Sequence, residues 1–166
     1  MRKTLASLLT LAGLAGATAN AATLPCQDSP FREFDFWVGE WDVRDAEGKT
    51  AGANQITSEE NGCVLIEHWR SAQGGHGQSY NYYDPGKKKW NQLWIGLGIL
   101  LHMEGSFADG SMRLEGPLQY LNQGKTTTLR GTWTALPDGR VRQLFEESAD
   151  GGKTWSLWFD GYYTRR

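Results

Sequence analysis

Phe34-Asp35-Phe36-Trp37-Val38-Gly39-Glu40-Trp41-Asp42-Val43 is the stretch that decides how this chain is read. Four aromatic residues fall between Phe34 and Trp41, and Gly39 lies between the two tryptophans. After Gly39, apolar and polar residues alternate, the period-two signature of a strand with one buried face. The stretch reads as an aromatic plug leading into the first strand of a β-barrel. A short helix is expected just before it, around Pro30 to Trp37.

Downstream, turn signals recur at short intervals. They include Asp45-Ala46-Glu47-Gly48, Glu60-Asn61-Gly62, Gly74-Gly75-His76-Gly77, Asp84-Pro85-Gly86, Asp109-Gly110, Asn122-Gln123-Gly124, Asp138-Gly139 and Asp150-Gly151-Gly152. Asp-Gly and Asn-Gly tolerate the positive φ angles of tight hairpins. Between the turns, several segments alternate. Met112, Leu114, Gly116 and Leu118 share one parity, as do Leu129, Gly131 and Trp133. Trp155, Leu157, Phe159, Gly161 and Tyr163 form the longest apolar stripe. No segment after the leader sustains a helical period. The fold class is all-β, an antiparallel up-and-down barrel of about nine or ten strands, with a sandwich as the structural alternative.

The first 21 residues read as a secretory leader. Arg2 and Lys3 precede an apolar run from Leu5 to Ala17, and Ala19-Asn20-Ala21 is a small-x-small cleavage site. The run is shorter than the roughly 20 residues of a membrane span. Residues 22–166 then form one domain, periplasmic or secreted. Without Arg2 and Lys3 the chain is mildly acidic and its basic residues are scattered, which argues against a nucleic-acid partner. Lys87-Lys88-Lys89 reads as a solvated turn. Cys26 and Cys63 are the only cysteines, and an even count in an exported chain favours a disulfide.

Gly39-Glu40-Trp41 resembles the lipocalin signature, a Gly-x-Trp at the start of the first strand. In that family the Trp closes the barrel and a late basic residue packs across it, here Arg165 or Arg166. The longer stretch from Phe34 to Val43 is similar to the opening of a group of exported bacterial proteins of unknown function, placed near the lipocalin-like (calycin) barrels. Asn61-Gly62-Cys63, Glu67-His68-Trp69, Tyr82-Tyr83-Asp84-Pro85 and Lys89-Trp90-Asn91-Gln92 fit the same pattern. The resemblance implies a barrel with an internal cavity and implies no activity. The haem-binding, nitrobindin-type barrel carries a His near its C-terminus; no His follows His102 here, so no cofactor is expected.

Glu67 and Trp69 share one strand face, as do Asn81 with Tyr83 and Gln92 with Trp94. If these faces point inward, three neighbouring strands present an aromatic wall with interleaved polar groups, the character of a small-molecule pocket. Arg142 and Glu146 are candidates to complete it, and His102 is a further polar candidate. Arg142 would then need Glu146 or Glu67 as a partner, because an unpaired buried charge is costly. The parity of Cys63 to Arg70 is ambiguous, since Val64 and Ile66 compete with Leu65 for the inside. Ser148-Ala149-Asp150-Gly151-Gly152-Lys153-Thr154-Trp155 resembles the Asp-box, a hairpin-turn device, and is read as structural. His68 and His102 make at most a metal pair without a third ligand, so no metal site is assigned. No nucleophile elbow or phosphate loop is present.

The expected protein is thus a monomer or weak dimer, with no membrane span, that binds a small apolar or amphipathic molecule inside the barrel. The expected ligand-binding residues are Glu67, Trp69, Asn81, Tyr83, Gln92, Trp94, His102 and Arg142. The alternative is an envelope enzyme (hydrolase, isomerase or cyclase) using Glu67, His102 or Glu146 as acid or base.

Overall fold

A computed structural model describes residues 24–166; the leader expected at 1–21 lies outside them. Ten antiparallel strands follow one another in a meander: β1 (Gly39–Asp45), β2 (Thr50–Glu59), β3 (Val64–Ser71), β4 (His76–Asp84), β5 (Lys89–Gly96), β6 (Ile99–Ala108), β7 (Ser111–Tyr120), β8 (Lys125–Ala135), β9 (Val141–Ser148) and β10 (Ser156–Arg165). Each pairs with its neighbours in sequence, and β1 pairs with β10 through Trp41↔Arg165 and Val43↔Tyr163. The sheet is closed, which removes its edges and excludes the sandwich.

The expected helix is a single 3-10 turn, Asp35–Trp37. It drops Phe34 and Trp37 into one end of the barrel. Phe34 stacks on Trp37 with ring centroids 5.0 Å apart and meets Trp90 and Trp133 edge-on at 5.7 and 5.4 Å. Trp41 donates its indole N–H to the Trp37 carbonyl at 2.9 Å. Arg165, not Arg166, crosses the Trp41 ring at 4.3 Å and donates to the Val38 carbonyl at 3.1 Å. Gly39 takes φ +145°, and a Cβ there would collide with the Arg165 guanidinium, so the plug enters β1 through a position only glycine fits. The Cys26–Cys63 disulfide ties the segment before the plug to the start of β3.

Alternation sets the rest. Ile99, Leu101 and Met103 of β6, Met112, Leu114 and Leu118 of β7, and Leu129 and Trp133 of β8 point inward and are buried. The outer wall carries ion pairs such as Arg130–Glu146 and Arg142–Asp160, both 2.8 Å. Among the described residues no helix is long and apolar enough to cross a membrane.

The apolar stripe of the last strand is broken. A register shift between Leu157 and Phe159 inserts a bulge, so Leu157 faces out with 67% of its surface exposed. Only Phe159, Gly161 and Tyr163 continue the inward set. Trp155 lies before the strand, beneath Arg130, whose guanidinium sits 4.2 Å from the ring.

Candidate binding site

The aromatic plug fills one end of the barrel. The other end holds a cavity of about 360 Å³. Its walls are the inward side chains of the strand ends furthest from the plug. Trp69, Trp94, Ile99, Leu101, Phe145 and Phe159 line it, with Trp69 edge-on to Phe159 at 6.3 Å. Trp158, brought round by the bulge, sits at the mouth and packs against Phe145 at 5.9 Å.

The cavity stays open because its aromatic rings lie back on glycines. Trp69 of β3 covers Gly52 of β2, Trp94 of β5 covers Gly77 of β4, and Phe145 of β9 covers Gly131 of β8. A Cβ at any of these glycines would collide with the ring above it. The absent side chains give each ring room against the wall, and all three rings line the cavity.

A belt of buried polar side chains lies between the cavity and the plug. Glu67 of β3 is at its centre and is 4% exposed. Asn54 Nδ2 of β2 donates to Glu67 Oε1 at 2.7 Å, and Ser79 Oγ of β4 donates to Oε2 at 2.6 Å. Asn81 Nδ2 donates to Ser79 Oγ at 2.9 Å and to the Leu65 carbonyl at 3.1 Å. Gln92 Nε2 of β5 donates to Asn81 Oδ1 at 2.7 Å. On the other side Asn54 Nδ2 reaches the Tyr163 hydroxyl at 3.4 Å, and that hydroxyl donates to Gln143 Oε1. The run Gln92, Asn81, Ser79 is polarised, each donor pointing toward the carboxylate.

Burial pushes the Glu67 carboxyl up to about 7, against the pull of the Ser79 and Asn54 hydrogen bonds. Burial also raises Tyr163 well above the phenol range, helped by the nearby Glu67 charge. Tyr163 is therefore a neutral donor at every ordinary pH.

The structure resolves the ambiguous parity of β3: Leu65, Glu67 and Trp69 face inward, while Val64 and Ile66 face outward. Glu67, Trp69, Gln92 and Trp94 line the cavity together. Asn81 is fully buried one layer below and holds Gln92 and Ser79. Tyr83 points inward but at the plugged end, 5.3 Å from Phe31 and 6.2 Å from Trp90. Two expected residues lie outside the barrel. His102 is exposed on the outer face of β6, because Leu101 and Met103 take the inward parity. Arg142 also faces outward, paired bidentately with Asp160 at 2.8 Å, because Val141, Gln143 and Phe145 occupy the inside of β9. Glu146 shares its face and binds Arg130. His68 is on the outer face too, 2.9 Å from Gln78, so it does not meet His102 across the interior.

Asn54, Ser79, Gln143, Tyr163, Phe145 and Phe159 were not anticipated. The parity that selected Asn81 also selects Ser79 two residues earlier. In β9 the inward parity is the one opposite to Arg142 and Glu146, and it carries Gln143 and Phe145.

The Asp-box-like segment is a hairpin clamp. Asp150 Oδ1 accepts the Lys153 and Thr154 amides at 3.0 and 2.9 Å, and Ser148 Oγ accepts the Gly152 amide at 2.8 Å. These bonds hold the Asp150 carboxyl down at about 2. Among the described residues, no cluster of three or more His, Cys, Asp or Glu is arranged to hold a metal ion. Comparison of the chain with protein-family models and with curated proteins returned no match.

Proposed function

We propose that the protein is an exported, lipocalin-like carrier or sensor that binds one small apolar or amphipathic molecule inside the barrel. On this reading it belongs with the exported barrels whose aromatic opening it shares. The observation that carries the reading is an interior that is not filled. The cavity of about 360 Å³ lies at the lower end of the roughly 300–1,000 Å³ typical of small-molecule sites. Its aromatic walls are held back by glycines, and its blind end carries a few fixed polar groups. A barrel built only for stability would pack that space, since voids cost contact energy. The disulfide supports an oxidising compartment.

Native mass spectrometry of the exported protein, purified without denaturation, tests this. One small molecule retained per chain is the expected result. A protein that is always empty, with no thermal shift across lipids, quinones, porphyrins and sugars, overturns it.

One observation favours an enzymatic reading: Glu67, at about 7, is poised for proton transfer near neutral pH. Neither His102 nor Glu146 reaches the cavity, so Glu67 would act without a second ionisable partner from that set. A turnover screen in which Glu67→Gln retains full activity removes this reading.

A further inference from the structure

Glu67 is a buried acid without a cation. On the outer wall, Glu146 and Asp160 each have an arginine at 2.8 Å. Inside, the carboxylate has only neutral neighbours: Asn54 from β2 and Ser79 from β4 on its two oxygens, with Gln92 from β5, Gln143 from β9 and the Tyr163 hydroxyl from β10 around it. No Lys, Arg or His forms an ion pair with it among the described residues. The charged groups nearest the cavity are Asp45 and Lys49, both at the mouth. Removing a carboxylate from water without a counter-charge is expensive. Yet Asn54 and the run Gln92, Asn81, Ser79 donate toward Glu67, an orientation that serves the ionised form.

Two aromatic side chains complete the picture. The indoles of Trp69 and Trp94, seated on Gly52 and Gly77, line the same space. A carboxylate beneath aromatic faces is the combination that recognises an organic cation, by a charge-assisted hydrogen bond and by cation–π attraction.

We infer that the cavity takes a protonated amine with a flat apolar body, its ammonium on Glu67 and its body between Trp69 and Trp94. The inference rests on the reading of the barrel as a container and names the class of molecule contained. Near neutral pH the empty site holds a proton for part of the time. The cation displaces that proton, so its affinity rises as pH passes through 7. Tyr163 stays neutral across that range and does not contribute.

The test is calorimetric titration at pH 8 with three probes that share a naphthalene body: 2-(1-naphthyl)ethylamine, 2-(1-naphthyl)ethanol and 1-naphthylacetate. N-phenyl-1-naphthylamine serves as a general reporter of apolar binding. The amine should bind about tenfold or more tighter than the alcohol, with the acetate weakest. Glu67→Gln should remove the preference for the amine and leave alcohol binding intact. The headgroup series on the wild-type protein needs no variant, so the test survives a failure of Glu67→Gln to fold. If the reporter binds but the amine is not preferred, the amine assignment is wrong and the container reading stands. If neither the reporter nor any probe binds, both fall.

Discussion

Replacing Glu67 by Gln should change how stability depends on pH, and the sign follows from burial. The carboxyl titrates at 4.5 in an ordinary setting and at about 7 in the folded barrel. Between those values the folded protein binds more protons than the unfolded chain, so stability falls as pH rises through the window. The contribution is fully present below pH 4.5 and lost above about 7. At ~1.4 kcal/mol for each tenfold change in proton affinity, the full difference is roughly 3 kcal/mol. Most of it, roughly 2–3 kcal/mol, falls between pH 5 and pH 8. Glu67→Gln removes the titration while keeping the size of the side chain and an acceptor for Asn54. Urea denaturation followed by tryptophan fluorescence, with the disulfide intact, gives the unfolding free energy of both proteins at both pH values. Other titrating groups cancel in the difference between them. Relative to the wild type, the variant should gain stability by roughly 2–3 kcal/mol on going from pH 5 to pH 8. A difference that stays constant within about 0.5 kcal/mol, or moves the other way, refutes the claim that Glu67 is buried without a counter-charge.

Gly77→Ala should push the Trp94 indole into the cavity, destabilise the barrel by about 1–3 kcal/mol and weaken ligand binding more than it weakens the fold; paired denaturation and binding titrations read both effects. Trp37→Ala empties the centre of the plug and should cost about 3–5 kcal/mol by denaturation, with the cavity end unaffected in a bound reporter's emission wavelength. Reducing the Cys26–Cys63 disulfide opens a loop of sequence separation 37 and should cost roughly 3–4 kcal/mol, seen as a fall in Tm on adding dithiothreitol.

The architecture was legible because its signals are local. Positive-φ turn residues mark the hairpins, and period-two alternation marks the inward faces of β6, β7 and β8. The plug was legible from Phe34 to Val43, down to a late arginine on Trp41. The site was legible only in part, and each failure has a physical cause. In β3 the buried Glu67 reverses the hydrophobic contrast, while Val64 and Ile66 pair outside with Tyr82 and Tyr80, which are 40% and 42% exposed. An outer apolar patch and an inner acid make the two parities look alike. In β9 the charges of Arg142 and Glu146 drew attention, but their partners Asp160 and Arg130 lie on neighbouring strands of the outer wall, beyond the reach of local pattern. At the Leu157–Phe159 bulge three apolar residues, Leu157, Trp158 and Phe159, stand in a row, and local pattern does not say which of them turns outward. Gly52, Gly77 and Gly131 were visible as residues, but their role depends on a ring from the next strand.

The central claim is that the cavity between Trp69 and Trp94 holds a ligand, and the most direct measurement is a fluorescence titration of N-phenyl-1-naphthylamine into wild-type and Trp94→Ala protein. The account predicts saturable binding of one reporter per chain, with affinity clearly reduced in the variant while its far-ultraviolet circular dichroism is unchanged. Absence of saturable binding, or equal affinity in the two proteins, would contradict it.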